Sequence, residues 1–103
     1  MSNKIELFEQ MIASDPENHV VLFGLANEYL KNGDNEKGIE TLKSYLSVAD
    51  DEGAAWGMLA KAFEENGNMD QAREALEKGI ETSLSHGHPT MAEEFRERLS
   101  AIA

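Results

Sequence analysis

The 103-residue chain predicts an all-α protein, a stack of about six helices in which each runs antiparallel to the next. Two observations predict it. The sequence repeats itself at a period of 34 residues, and within each period the apolar residues fall at helical spacing, with no strand-like alternation to compete. Residues 19–52 laid over residues 53–86 align without a gap: Leu25 falls on Leu59, Ala26 on Ala60, Asn32 on Asn66, Gly33 on Gly67, Glu40 on Glu74 and Leu42 on Leu76. Between these identities lie similar pairs, Leu22 with Trp56, Tyr29 with Phe63, Gly38 with Ala72 and Leu46 with Ile80. A single domain of residues 1–103 follows, because a chain of this length fits one core and not two.

The elements can be justified in order. Residues 2–14 carry Ile5, Phe8 and Ile12, which fall one period before Ile39, Leu42 and Leu46, so this segment reads as the second half of a repeat whose first half is absent. Asp15-Pro16 reads as a helix start, Asp as the cap and Pro in the first turn. In the repeat 19–52, Leu22, Leu25, Ala26 and Tyr29 share one helical face; Gly33 supplies a left-handed residue to end that helix, and Asp34 caps the next, which carries Ile39, Leu42 and Leu46. The repeat 53–86 does the same with Trp56, Leu59, Ala60 and Phe63, then Gly67-Asn68, then Ala72, Ala75, Leu76 and Ile80. A last helix over 89–102 presents Ala92, Phe95, Leu99 and Ile102, and matches the repeat only with two residues inserted near His86-Gly87-His88. Its polar residues Glu93, Glu94, Glu97 and Arg98 are expected on an outer face, as the end of a solenoid requires.

This pattern resembles the tetratricopeptide repeat family. The resemblance rests on a bulky residue (Leu22, Trp56), a Leu-small pair (Leu25-Ala26, Leu59-Ala60), an aromatic (Tyr29, Phe63) and Gly-Asp or Gly-Asn at the turn. It continues through a small residue (Gly38, Ala72), an apolar one (Leu42, Leu76) and the closing Asp15-Pro16, and so covers two full repeats and the half-repeat before them. Asp50 and Leu84 replace the usual closing proline, and Tyr45 stands where the second repeat has Gly79, so the joint there must widen or use the ring as packing. The resemblance implies a right-handed α-solenoid of helix pairs, and a non-catalytic interaction module, an adaptor or scaffold, that holds a peptide or helix of another protein in its concave groove.

The groove of that family is lined by the first helix of each repeat. Carried over, the lining is Val20, Phe23, Asn27, Leu30 and Lys31 from one helix, and Ala54, Gly57, Lys61 and Glu64 from the next. Phe23 has Gly57 as its counterpart, which predicts a small apolar pocket walled by Val20 and Phe23, floored at Gly57, with Asn27 and Lys61 as polar handles. The competing reading covers Phe23 with the N-terminal helix and uses Gly57 only to relieve crowding by Tyr45. Some family members hold a C-terminal carboxylate with Lys, Asn and Arg residues; of these only Asn27 is matched, since Phe23 and Met58 occupy two of the positions. An acidic tail is therefore a poorer expectation than a partner with apolar anchors and basic flanks.

Composition narrows the rest. Twenty acidic against nine basic residues, a net charge of −11, disfavour nucleic-acid and anionic-membrane partners, and fit either solubility by self-repulsion or a basic partner. There is no cysteine, no apolar signal core and no run of 18 apolar residues, so a cytoplasmic protein is expected. No nucleophile or phosphate-loop motif occurs, and adjacent carboxylates such as Glu64-Glu65 point about 100° apart on a helix, so no enzyme is expected. His86 and His88 supply too few ligands for a metal, His88 reads as a cap before Pro89, and His19 as an exposed first-turn residue. No cofactor is implied. Met11, Met58, Met69 and Met91 read as pliable core. The alternative to an adaptor is homo-assembly, possible as a homodimer, through the terminal helices, because the Ile5, Phe8, Met11 and Ile12 face lacks its partner half-repeat.

Overall fold

A computed structural model describes residues 3–102. It contains six α-helices and, among the described residues, no strand: α1 (Asn3–Ser14), α2 (His19–Lys31), α3 (Asn35–Val48), α4 (Ala54–Glu65), α5 (Met69–Ser85) and α6 (Pro89–Ile102). The fold is all-α, as the repeat predicts. The helices gather into two compact units that part between Asp50 and Asp51, one residue pair away from the 52/53 boundary of the sequence repeat. The first unit packs α2 against α1 and α3; the second packs α5 against α4 and α6.

Three helices end in the same way. After α2, the amide of Gly33 donates to Leu30 O (3.1 Å) and that of Asp34 to Tyr29 O (2.9 Å), a pattern that satisfies carbonyls the helix end would otherwise leave open. Gly67 and Asn68 repeat it after α4, and Gly87 and His88 after α5. The reversal needs a residue in the left-handed region, and Gly33, Gly67 and Gly87 sit there with φ of 80°, 79° and 78°. Gly87 therefore belongs to the same series as the two repeat glycines. The extra length of the last period lies in α5 itself, which continues to Ser85, past Thr82, the counterpart of Val48.

The helix starts are less uniform. Asp34 caps α3 as expected, its Oδ1 accepting from the amide of Lys37 (3.1 Å). Asp15-Pro16 does not start α2: Asp15 to Asn18 form a turn, and Asn18 is the cap, its Oδ1 accepting from Val21 N (3.2 Å). An Asn three residues nearer the first apolar position outcompetes the Asp-Pro pair. At α4 the carboxylate of Asp51 accepts from both Gly53 N (2.8 Å) and Ala55 N (3.0 Å).

Each unit buries most of the stripe that the periodicity marks, with Leu46, Trp56, Ile80, Leu99 and Ile102 half-buried. In the first, Leu22, Leu25, Ala26, Tyr29, Ile39 and Leu42 are buried; in the second, Leu59, Ala60, Phe63, Ala72, Leu76, Ala92 and Phe95. Burial of each large aliphatic side chain stabilises by about 1.5–3 kcal/mol. The small residues let the helices close: a Cβ at Gly38 would stand 2.7 Å from Leu30 Cγ. Two methionines depart from the expected core role, since Met11 and Met69 are both exposed, whereas Met91 is half-buried and brings its sulfur to Gly53.

Candidate functional site

The face of α2 opposite its buried stripe carries Val20, Phe23, Asn27, Leu30 and Lys31. These are spaced 3, 4, 3 and 1, which places them along one side of the helix. The side chains differ in how much of themselves they offer. Val20 is 70% exposed and Lys31 is exposed, with Glu28 3.6 Å from its Nζ. Phe23 and Asn27 are half-buried. Leu30 is half-buried as well, and leans over Gly38 as part of the contact between α2 and α3.

Tyr45 of α3 resolves the question raised by its size. Its ring lies 5.1 Å from that of Phe23, tilted by 55°, and 6.5 Å from that of His19. The ring is used as packing. Tilted aromatic pairs at this distance stabilise by about 0.5–1.5 kcal/mol beyond area burial. The N-terminal helix reaches the neighbouring residue: Phe8 packs its ring against Gly24, where a Cβ would come within 3.2 Å.

The counterpart stripe on α4 is a different surface. Ala54 and Lys61 are exposed, but Gly57 is buried and Glu64 half-buried. The open space expected in front of Gly57 is filled from within the same unit. A Cβ at Gly57 would meet the Phe95 ring at 2.7 Å, and one at Gly79 would meet the same ring at 2.8 Å. The pocket floor inferred from the Phe23–Gly57 contrast is corrected accordingly: the glycines of α4 and α5 cradle an α6 phenylalanine. Arg98, expected on the outer face of α6, also turns inward. Its Nη2 donates to Gly57 O (3.1 Å) and lies 3.4 Å from Glu64 Oε2, with the guanidinium 5.8 Å from the Phe95 ring centre. Glycine in a helix costs about 1 kcal/mol relative to alanine, and the ring seated on two of them supplies the compensation.

Sequence reasoning missed two features. Ser83 is fully buried on α5, its hydroxyl donating to the carbonyls of Gly79 (2.7 Å) and Ile80 (3.1 Å), close to Gly53. Gly53, with φ of 132°, adopts a backbone shape reserved for glycine, and the space its missing Cβ would need is taken by Met91 and Ser83. His19 is exposed in the first turn of α2, as expected. His88 stands just before α6, its carbonyl accepting from Ala92 N (3.2 Å), while its imidazole meets the carboxylate of Glu52. His86 Nδ1 is 2.8 Å from Thr82 O. Among the described residues no group of three or more His, Asp or Glu side chains is arranged to hold a metal.

A sequence model of the tetratricopeptide repeat matches residues 23–83. The chain belongs to the tetratricopeptide repeat family. Among curated relatives of this repeat chain, it is 36% identical over 83 residues to the TPR repeat-containing protein PA0015 of Pseudomonas aeruginosa, covering 81% of this chain and 79% of that one. It is 31% identical over 90 residues to the heat-shock protein cognate co-chaperone sgt12 of Aspergillus fumigatus, covering 87% of this chain and 26% of the longer protein. Among solved structures, protein BPP2914 of Bordetella parapertussis superposes with a TM-score of 0.82 at 24% identity, covering 99% of this chain and 89% of that one. MamA superposes with a TM-score of 0.72 at 22% identity, covering 95% and 66%. These two likenesses show the fold. Tetratricopeptide repeats as a family mediate protein–protein interaction and are typically non-catalytic. No helix among the described residues is long and apolar enough to cross a membrane.

Proposed function

We infer that this repeat chain is a non-catalytic adaptor of the cytoplasm that holds a peptide or helix of a partner protein on the α2 stripe. The observation that carries this reading is Val20: a β-branched apolar side chain, 70% exposed, one turn before the half-buried Phe23–Tyr45 ring pair, with Asn27 a turn further on. An apolar anchor beside rings, followed by an amide that both donates and accepts, suits an apolar side chain and the backbone of a bound segment. Ala54 and Lys61 of α4 are proposed to face the partner as well; Gly57 and Glu64, engaged by Phe95 and Arg98, serve the fold of their own unit. The net charge of −11 favours a partner segment with basic flanks. The sgt12 relative is by name a co-chaperone, which supports a protein partner.

Wild type and a Phe23→Glu, Lys61→Glu double variant, used as paired baits in the source lysate at low and high salt, test the reading. A protein retained by wild type and lost by the folded variant supports it; identical sets from both baits overturn it. Homo-assembly through α1 is favoured by one observation, the 55% exposure of Leu7 beside Met11 at 41%. A mass by light scattering that rises with concentration, and falls back in Leu7→Lys, would establish that alternative.

A further inference from the structure

The other face of α2 closes the floor of a cleft in the first unit, with α1 and α3 as its walls. The cleft has a volume of about 340 Å³ and is lined by Ile12 and Leu25, by the Tyr29 ring, and by Glu9, Lys37 and Glu40 at the rim. Its chemistry is asymmetric. The Tyr29 hydroxyl donates to Glu9 Oε2 (2.5 Å), which orients that carboxylate at one wall, and Glu40 stands on the other. The negative field of Glu9, Asp34 and Glu40 is felt at the phenol, whose pKa burial and these carboxylates push up to about 12. Into this field the chain inserts its own cation. The Lys37 ammonium lies 5.6 Å from the centre of the Tyr29 ring, inside the range over which a ring face attracts a positive charge.

We propose that the α1–α3 cleft is a docking notch for a basic side chain, an arginine or lysine of a partner protein segment, and that Lys37 is its resident competitor. The notch has the parts that such recognition needs: an aromatic face, two carboxylates set on opposite walls, and an apolar floor at Leu22 and Leu25, flanked by Ile12, for the aliphatic stem. A guanidinium suits it better than an ammonium, because its plane stacks on the ring while its fork reaches a carboxylate. The notch lies on the side of α2 away from Val20 and Phe23, so it stands or falls independently of the α2 stripe.

The probe is a blocked Ala-Arg-Ala tripeptide, with Ala-Gln-Ala as its uncharged partner, titrated into the full chain and followed by amide and ring NMR shifts. Saturable shifts are expected at Tyr29, Thr41 and Ser44 with the arginine peptide alone. Lys37→Ala is expected to tighten binding by about two- to fivefold by removing the competitor, and Glu40→Gln to weaken it by a similar factor. Glu36→Gln, which removes the same charge from α3 at a residue that does not line the cleft, is expected to leave it unchanged. An affinity unmoved by Lys37→Ala and Glu40→Gln, or equal shifts from both peptides, would overturn the proposal. So would an equal loss in Glu36→Gln, since that marks attraction by net charge alone.

Discussion

The same two positions of the repeat are built from opposite residues in the two units. Where the first has Phe23 and Tyr45, the second has Gly57 and Gly79. The first unit fills the space with its own two rings, 5.1 Å apart and half-buried. The second leaves it empty on α4 and α5 and fills it with Phe95 from α6. One geometric requirement, an aromatic wedge at this joint, is met from inside the repeat in one case and by the terminal helix in the other. The difference assigns the helices different work: α2 keeps part of the Phe23 ring and most of Val20 at the surface, whereas on α4 Gly57, the counterpart of Phe23, is sealed beneath Phe95 and Arg98.

The largest expected effect breaks the second unit's solution. Phe95→Ala empties the space between two glycines that have no side chain with which to collapse, and should cost about 3–5 kcal/mol in urea unfolding. Phe23→Ala, at a half-buried ring pair, should cost well under half of that. Equal costs would mean that the two wedges are energetically alike.

A second prediction concerns the first unit alone and follows from Tyr29. Its pKa is raised from 10.0 to about 12, foremost by burial and then by the hydrogen bond to Glu9. Folding thus favours the protonated phenol. The stability this contributes is whole below pH 10 and is lost as pH rises towards 12, by about 2 kcal/mol. Tyr29→Phe should flatten that alkaline loss, measured as the urea midpoint at pH 8, 10 and 11.

Gly57→Ala sharpens the comparison through its sign. Helix propensity alone would stabilise the variant by about 1 kcal/mol, while a Cβ 2.7 Å from the Phe95 ring overpacks the joint at a cost of about 1–3 kcal/mol. Net destabilisation is expected, relieved when Phe95→Leu is added. A stabilised single variant would show that the ring does not need the glycine. Smaller still, Asp51→Ala removes the acceptor for two amides at the start of α4 and should lower stability by about 1 kcal/mol.

The sequence made much of this legible. The period of 34 residues, the Gly33 and Gly67 turns and the Leu22–Tyr29 stripe predict α2 to α5, because helical spacing and glycine's freedom at positive φ are local properties. The Asp34 cap is local too. What escaped has non-local causes. The space at Gly57 could be seen as missing volume, but nothing near it in sequence says that a residue 38 positions later fills it. Arg98 looks like an outer-face charge by its neighbours Glu94 and Glu97, and turns inward to the Gly57 carbonyl and the Glu64 carboxylate, both on α4. The α2 start is ambiguous in the sequence because two good caps, Asp15 and Asn18, lie within one turn, and Asn18, nearer the first apolar residues, takes the position. For the candidate site, the resemblance to the repeat family points to the α2 stripe, while the exposure that distinguishes Val20 from Leu30 depends on Gly38 across the helix pair.

The central claim, that α2 presents the partner-binding surface, is tested most directly by photo-crosslinking in the source cell. A benzophenone amino acid replaces Val20 in one variant and the exposed Glu77 of α5 in another. The account predicts a discrete adduct with another protein from position 20 and none from position 77. Equal adducts from both positions, or an adduct from position 20 only with a second copy of the chain, would contradict it.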